Sequence, residues 1–294
     1  ELLAAPLQPN RSVSYRTQSK DTLNRQERHK EHLMKHTAWT ILAVAAVLAV
    51  AGAAQAELSD GLVHYYSFDT DSKDSVGSLD GTLNANGMIS GANAKVGGGA
   101  LMSTSGGATC DLGATVNFGS GSFSVSYWVT SPQNSGNGEL GPMSADWGET
   151  HWDIKDCGNL NWYAILVSPN MPYGTFTSKI GQGLAPTNTW MMLTLVVDRA
   201  AATATFYKNA AGPSTMNISA AGTDSFDSTR NVGAIIGQTG GGIDEWGFWD
   251  RALSLDEVSQ LYNNGDGMSA IPEPATMSLL AIGGLAALIR RRRS

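Results

Sequence analysis

Short stretches of alternating apolar and polar residues recur along residues 57–265 and predict β-strands. Residues 123–129 carry apolar or aromatic side chains at every odd position, with Ser124, Ser126 and Trp128 between them, so one face of this strand is predicted to be buried. Residues 190–197 are almost continuously apolar, which is typical of a strand buried on both faces, and the turn at 198–202 predicts a hairpin with residues 203–207. Because Gly, Ser, Thr and Asn separate the runs, we predict an all-β, two-sheet antiparallel sandwich.

Further strands and one helix complete the predicted domain. Residues 62–68 place Leu62, Tyr66 and Phe68 on one face, and residues 235–237 and 243–249 supply the last strands. Ser254 and Glu257 form a capping box at the start of a helix. The helix has an apolar stripe, a stop at residues 263–265 and a length of about two turns, and we predict that it covers one edge of the sandwich. The stripe consists of Leu255, Val258, Leu261 and Tyr262.

The C-terminal residues form a three-part pattern. Pro272-Glu273-Pro274 interrupts any helix, because proline fixes φ and has no backbone N–H donor. An apolar run at residues 275–289 follows, which is too short to span a bilayer comfortably and predicts an apolar sorting helix. Arg290, Arg291, Arg292 and Arg293 then hold its end on the cytoplasmic side by the positive-inside rule.

This tail resembles the PEP-CTERM sorting signal of proteins that Gram-negative bacteria export. The resemblance implies that an exosortase-type membrane peptidase recognises the tail and cuts near residues 272–274. The protein would then be anchored only transiently in the inner membrane. The alternative is an ordinary tail anchor that ends in a stop-transfer arginine cluster.

The N-terminal residues predict export as well. Met34-Lys35-His36, an apolar stretch at 38–51 and the ending Ala54-Gln55-Ala56 are the three parts of a signal peptide, with cleavage after Ala56. Residues 1–33 are polar and basic, and we interpret them as an over-extended gene model or a disordered arm. The predicted order is then a signal peptide at 34–56, a domain at 57–265, a linker at 266–271 and the sorting signal at 272–294.

Charge and cysteine content narrow the class of protein. Residues 57–271 contain 8 Lys and Arg against 21 Asp and Glu, a net charge of −13, which excludes nucleic acid as a natural partner. An acidic surface suits a divalent cation or a neutral glycan, and it also keeps exported proteins soluble.

The two cysteines, Cys110 and Cys157, are predicted to form a disulfide in an oxidising compartment. Such a bond would stabilise the fold by roughly 3–4 kcal/mol through chain entropy.

Three stretches of the domain together resemble a LamG-like jelly roll of the concanavalin A-like lectin/glucanase superfamily. They are residues 62–83, the hairpin at 190–207 and Gly242–Ser254, and the last of these is the most specific. Residues 134–176 match the pattern poorly. The resemblance implies a jelly-roll sandwich that serves as a binding or architectural module, often with one structural calcium ion.

Calcium has support from the residues themselves. Asp69, Asp71 and Asp74 place three carboxylates in a turn-forming loop, and Ca²⁺ takes six to eight oxygen ligands. The loop is not an EF-hand, because Asp74 occupies the position that requires glycine. By the family resemblance, Asp74 and Asp244 would meet at the ion. The alternative is that these aspartates cap turns through Asx hydrogen bonds.

Aromatic residues of the middle segment are candidate sugar contacts. Trp and Tyr offer rigid, amphipathic surfaces that stack on the apolar faces of sugar rings, and carboxylates nearby accept from hydroxyl groups. The alternative is that these side chains belong to the core. The candidates are Trp147, Trp152, Trp162 and Tyr173.

The sequence favours a binding module over an enzyme. A retaining glycosidase on this fold needs two carboxyl groups about 5 Å apart, and the nearest approach, Asp244 and Glu245, is an adjacent pair that points to opposite faces of a strand. We therefore predict an exported cell-surface or biofilm-matrix protein that binds or organises extracellular polysaccharide. The alternatives are an adhesion or purely structural module with a surface protein as partner, and a glycoside hydrolase.

Overall fold

Two antiparallel sheets and one helix make up the folded domain. The computed structural model describes residues 25, 29, 58–132, 138–142, 150–156, 161–172, 179–184 and 187–271. The packing of Cα atoms divides the chain into residues 1–53 and residues 54–294, and the sandwich lies in the second unit. Its strands are β1 (Leu62–Tyr66), β2 (Thr82–Leu83), β3 (Gly87–Ser90), β4 (Ala100–Ser103), β5 (Ala108–Asp111), β6 (Phe123–Thr130), β7 (Gly138–Pro142), β8 (His151–Asp156), β9 (Asn161–Val167), β10 (Lys179–Leu184), β11 (Met191–Asp198), β12 (Thr203–Lys208), β13 (Ala211–Asn217), β14 (Val232–Ile236) and β15 (Gly242–Trp249), and its α-helix is α1 (Leu255–Tyr262).

The strand order confirms the predicted two-sheet sandwich. The first sheet runs β13-β12-β11-β6-β15-β4-β3, and β1 pairs with β15 along the length that β4 leaves free. The second sheet runs β10-β9-β8-β7-β14-β5-β2. The predicted hairpin is present, since Asp198 of β11 lies opposite Thr203 of β12.

The inner core fills the space between the sheets. On β6, Phe123, Val125, Tyr127 and Val129 all point into it, as the alternation predicts. Strand β11 is buried on both faces, with Leu193 and Leu195 inside and Met192 and Val196 on the other face, which confirms the prediction from its continuous apolar run. Aromatic side chains of the inner core include Tyr66, Phe68, Trp152, Trp162, Phe206, Phe226, Trp246 and Phe248.

The outer face of the first sheet is buried as well. Trp128, Met192 and Trp249 project from its central strands and are covered by Val258 and Leu261 of α1. The ring of Tyr262 stacks on Trp128 at 5.7 Å between centroids. We call this set the outer cluster; it consists of Leu58, Leu62, Tyr65, Trp128, Met192, Val196, Trp249, Leu253, Val258, Leu261 and Ala270.

Helix α1 begins and ends where the sequence predicts, but it covers a face of the sheet rather than an edge. The Ser254 hydroxyl accepts from the Glu257 N–H at 3.2 Å, and the Glu257 carboxylate accepts from the Ser254 N–H at 2.7 Å. Asn263 ends the helix in the left-handed conformation. Leu255 remains 53% exposed and does not belong to the buried stripe.

Two further expectations were wrong. Leu62 does not share a face with Tyr66 and Phe68, because a register irregularity between Leu62 and His64 turns Leu62 toward the outer cluster. Residues 266–271 were predicted to be a linker, yet they pack on the domain. The Gly267 N–H donates to a carbonyl at the end of α1 at 3.1 Å, and Ala270 is fully buried in the outer cluster.

The capping box gives a first test of how α1 is held. Burial alone would raise the pKa of Glu257, but hydrogen bonds from Arg251 and Ser254 bring it below its ordinary value. Glu257→Ala is expected to lower the free energy of unfolding by about 2 kcal/mol, because Arg251 and the Ser254 N–H both lose their acceptor. Chemical denaturation at neutral pH measures this change.

The exposed neighbour Asp256 supplies the control, since Asp256→Ala removes a carboxylate from the same helical turn. The difference between wild type and Glu257→Ala is expected to shrink as the pH falls from the ordinary glutamate pKa of 4.5 through the lower value in the folded protein, where the carboxylate becomes protonated. Equal losses in the two variants would contradict the role given to Glu257.

Candidate functional site

The candidate sugar-binding aromatics divide into core residues and residues outside the described part of the chain. Trp152 is completely buried and lies edge-on to Phe248 at 5.9 Å, so its prediction as a ligand contact was wrong. The pleat of β8 explains this outcome, because Trp152, Ile154 and Asp156 alternate toward the inner core. Trp147 and Tyr173 lie outside the described residues, and their roles stay predictions.

Trp162 is also almost completely buried, but it lines a partly open cleft at one end of the sandwich. The cleft lies where β6, β8 and β14 end and where β9 and β15 begin, and it encloses a cavity of about 20 Å³. Asp156 and Trp162 are paired across β8 and β9, and Tyr127 faces them from the first sheet. Thr130, Ser131 and Gln238 are half-buried and form its rim.

Two hydrogen-bonding groups in this cleft have no partner within the described part of the protein. They are the hydroxyl of Tyr127, a residue 1% exposed, and the indole N–H of Trp162, a residue 2% exposed. A buried polar group without a partner costs about 1–3 kcal/mol, so such groups are rare in folded proteins. The carboxylate of Asp156, 4% exposed, lines the same cleft. The cleft therefore presents a hydroxyl, an N–H donor and a carboxylate acceptor among apolar walls.

The Tyr127 hydroxyl is a neutral group. Burial, and then the charges of Asp153 and Asp156, raise the pKa of Tyr127 well above its ordinary value of 10.0. A neutral phenol can donate one hydrogen bond and accept another, as a sugar hydroxyl does. The sequence pattern placed Tyr127 inside the sandwich, but only the structure brings it together with Asp156 and Trp162.

Asp74 organises the loop after β1. Its Oδ1 accepts from the backbone N–H groups of Tyr65, Val76 and Gly77 at 3.1, 3.2 and 2.9 Å. Its Oδ2 accepts from the Leu79 N–H at 3.2 Å and lies 2.7 Å from His64 Nδ1. Since the carboxylate is fully buried and has about four acceptor positions, these five contacts leave none for a metal ion.

Asp244 lies in a different network. Its Oδ2 accepts from the N–H groups of Lys95 and Val96 at 2.8 and 3.1 Å, and its Oδ1 from that of Glu245 at 2.9 Å. The pKa of Asp244 is raised to about 7, because burial and then the charge of Asp69 raise it by more than the three hydrogen bonds lower it. Separate sets of backbone donors thus hold Asp74 and Asp244, and their meeting at one ion stays a prediction.

Asp69 is the carboxylate whose charge reaches Asp244. A glycine loop closes around it: the Gly98 N–H donates to Asp69 Oδ1, and a Cβ at Gly97 would collide with the same oxygen. Asp71 is exposed and makes its own turn, accepting from the Lys73 N–H at 3.0 Å. Within the described residues no three Asp, Glu, His or Cys form a metal-binding group. Calcium binding stays a prediction, and Asp69 is the candidate ligand whose charge acts on Asp244.

Glu245, next to Asp244, lines a small cavity in the outer cluster together with Tyr65 and Trp128. It accepts from the Tyr65 hydroxyl on the outer face of the first sheet, and burial raises the pKa of Glu245 to about 8. Asp244 and Glu245 have different hydrogen-bond partners, but the register irregularity between Asp244 and Gly247 interrupts the alternation of faces on which the sequence argument relied. Asp244 and Glu245 therefore do not supply the pair of catalytic carboxyl groups that the glycosidase alternative requires.

The disulfide is not tested directly, because Cys157 lies outside the described residues. Cys110 lies in β5 as a buried free thiol, and burial raises its pKa to about 12. Strand pairing leads from Cys110 through Ala234 and Leu140 to Ile154 of β8, three strand spacings or about 14 Å away. The pairing of Cys110 with Cys157 stays a prediction.

The export signals also lie outside the described residues. These include the predicted cleavage point after Ala56, the box from Pro272 to Pro274 and the four arginines at residues 290–293. None of the helices that the structure describes is both long enough and apolar enough to cross a membrane.

Two family models match the chain. One describes the concanavalin A-like lectin/glucanases superfamily and matches residues 104–259, which is more than half of the chain. The other describes the PEP-CTERM protein-sorting motif and matches residues 270–293. A search of the curated proteins gave no match.

Solved structures share the fold at low sequence identity. The binding domain of Paraclostridial Mosquitocidal Protein 1 is 16% identical with a TM-score of 0.54, and the match covers 70% of this chain and 53% of that one. The botulinum neurotoxin serotype D ligand-binding domain in complex with N-acetylneuraminic acid is 15% identical with a TM-score of 0.53, covering 72% and 53%. The chain thus spans about half the length of these structures, and the likeness establishes the fold alone.

The Asp74 network provides a prediction that separates a structural role from a metal-binding role. Asp74→Ala is expected to lower the free energy of unfolding by about 3 kcal/mol, because buried backbone N–H groups lose their acceptor. Thermal unfolding should show the same loss with added calcium and with a chelator.

Asp71→Ala is the control, because Asp71 lies in the same loop and is exposed. Its melting temperature should stay close to that of the wild type. A loss for Asp74→Ala that occurs only with calcium would restore Asp74 as a metal ligand.

Proposed function

The chain belongs to the concanavalin A-like lectin/glucanase superfamily and carries a PEP-CTERM sorting motif, and from this premise we propose that it is an exported, non-catalytic module that binds neutral carbohydrate. The observation that carries the proposal is the cleft at the end of the sandwich. There the Tyr127 hydroxyl and the Trp162 N–H lie beside the Asp156 carboxylate without a described partner of their own.

The chemistry of the cleft suits a sugar. A sugar oxygen accepts from the Trp162 N–H, and a sugar hydroxyl both donates to and accepts from the Tyr127 hydroxyl. Asp156 provides an acceptor for a second hydroxyl group. The apolar walls, which include Val129 and Ile236, suit the C–H face of a pyranose ring.

Charge favours a neutral glycan over an anionic one. The net charge of −13 over residues 57–271 repels polyanions at low ionic strength, and Asp156 places a carboxylate inside the cleft itself. The serotype D domain that shares part of this fold was solved in complex with a sugar acid, N-acetylneuraminic acid. We therefore expect neutral polysaccharides to bind more tightly than anionic ones.

The sorting motif supports a role outside the cytoplasm. A PEP-CTERM motif indicates an exported protein that is sorted to the cell envelope. We propose that the module acts at the cell surface or in the biofilm matrix of a Gram-negative bacterium, after an exosortase-type peptidase has processed its tail. Its ligand would then be an extracellular polysaccharide that it binds or organises.

The adhesion alternative finds less support in the described residues. Their large exposed hydrophobic side chains, Val76, Met88 and Leu255, lie on three different elements. Protein-binding surfaces of soluble domains usually present contiguous apolar patches.

Two conservative variants test the cleft. Tyr127→Phe removes only the hydroxyl, and Trp162→Phe removes the indole N–H, so each is expected to weaken binding of a neutral polysaccharide about tenfold by losing one hydrogen bond. Titration calorimetry against neutral and anionic polysaccharides measures the dissociation constants. Without glycan, Tyr127→Phe should not lower the melting temperature, because its hydroxyl has no described partner to lose.

Tyr66→Phe is the matched control. Tyr66 is another tyrosine of the inner core, but its hydroxyl donates to the Leu79 carbonyl at 2.5 Å and does not line the cleft. This variant should lose stability and keep its affinity for glycan. Unchanged binding by Tyr127→Phe would remove the cleft as the site, and an absence of binding to every polysaccharide would overturn the proposed function.

A further inference from the structure

The interior of the cleft at the end of the sandwich is much smaller than a sugar ring. It encloses a cavity of about 20 Å³. A single water molecule needs roughly 10–15 Å³ of such space. A whole pyranose ring therefore cannot enter the cavity, whereas a short group that projects from the ring can.

The unpartnered groups of the cleft lie below its rim. Tyr127 and Trp162 are only 1% and 2% exposed, so a ring that lies on the surface does not reach their hydroxyl and indole N–H. The half-buried side chains of Thr130, Ser131 and Gln238 form the rim. A hydroxyl group attached directly to the ring would meet this rim, and only an exocyclic group extends further.

The polar groups of the cleft match the hydrogen-bonding capacity of one hydroxyl. Asp156 and Trp162 are paired across β8 and β9, and the charge of Asp156 reaches Tyr127. A hydroxyl group has two acceptor positions and one proton. It can therefore accept from the Trp162 N–H and from the Tyr127 hydroxyl while it donates to the Asp156 carboxylate. Because a carboxylate has two oxygens, a second sugar hydroxyl can share Asp156.

We infer that the cleft takes the exocyclic hydroxymethyl group of a neutral hexopyranose, with the sugar ring itself at the rim. The primary hydroxyl bonds to the buried polar groups, and the methylene carbon lies against the apolar walls that include Val129 and Ile236. This inference rests on the proposed carbohydrate binding and adds the class of sugar, a hexose whose 6-hydroxyl carries no substituent.

Other sugars lack one of the required properties. A pentopyranose has no hydroxymethyl group, so Tyr127 and Trp162 would stay without partners. A uronic acid carries a carboxylate in place of the hydroxymethyl group, and this charge would face Asp156 in a buried site, where like charges repel strongly. A glycosidic bond at the 6-position adds a second ring, for which the cavity has no room.

Matched pairs of methyl glycosides test the hydroxymethyl group. The pairs are glucoside with xyloside, galactoside with arabinopyranoside, and mannoside with lyxoside. Within each pair the ring stereochemistry is the same, and the second sugar lacks only the hydroxymethyl group. Calorimetric displacement of a bound neutral polysaccharide from the full chain measures each dissociation constant.

The hexoside of at least one pair is expected to bind about a hundredfold more tightly than its pentoside, because the pentoside forgoes two hydrogen bonds of about tenfold each. Methyl glucuronoside should compete no better than methyl xyloside. Equal affinities within every pair, while a neutral polysaccharide still binds, would overturn the inference and leave the proposed function intact. Failure to bind any polysaccharide would overturn both.

Tyr127→Phe tests whether the preference arises in the cleft. This variant should weaken binding of the hexoside about tenfold and leave binding of the pentoside unchanged, because a pentoside does not reach the hydroxyl. Tyr66→Phe is the matched control and should keep the full preference, since its hydroxyl donates to the Leu79 carbonyl at 2.5 Å and does not line the cleft. A preference that Tyr127→Phe does not reduce would contradict the inference. The comparison of glycosides on the wild-type chain decides the question even if Tyr127→Phe does not fold.

Discussion

Burial of strand β15 on both faces is the constraint on which the rest of the structure depends. All eight of its residues are buried. Trp246 and Phe248 belong to the inner core, whereas Trp249 belongs to the outer cluster. A sheet with only one covered face would leave that second tryptophan in water. A further layer must therefore cover the outer face of the first sheet. Helix α1, together with the segments before β1 and after α1, provides this layer.

The regular part of this arrangement follows from sequence because its causes are local. Side-chain alternation identifies the inner face of β6, the continuous apolar run identifies β11 as buried on both faces, and Ser254 with Glu257 marks the start of α1. In β1 the rule that alternate residues share a face fails. A register irregularity after Leu62 turns its side chain to the opposite face. Nothing in residues 62–68 alone signals that displacement, because it depends on the pairing with β15.

The polar sites were harder to predict because they depend on contacts between distant segments. Three aspartates in a short loop indicate a cation site by composition, yet Asp74 is occupied by backbone donors from β1 and from its own loop. Trp152 and Trp162 lie on neighbouring strands, and only their positions along the sandwich decide that one is core and the other lines the cleft. Tyr127 could have pointed to the cleft from sequence alone. The alternating pattern of β6 buries this tyrosine, and a buried tyrosine hydroxyl needs a hydrogen-bond partner.

The outer cluster holds both ends of the described domain against the first sheet. Leu58, two residues after the predicted signal cleavage, is fully buried there, and the Trp249 indole N–H donates to its carbonyl at 2.7 Å. Ala270, at the start of the sorting motif, is buried in the same cluster. Both ends of the described domain are thus anchored in the outer cluster. Since the apolar face of the first sheet needs this cover, the segments before β1 and after α1 contribute to the core of the domain rather than only connecting it to its neighbours in the chain.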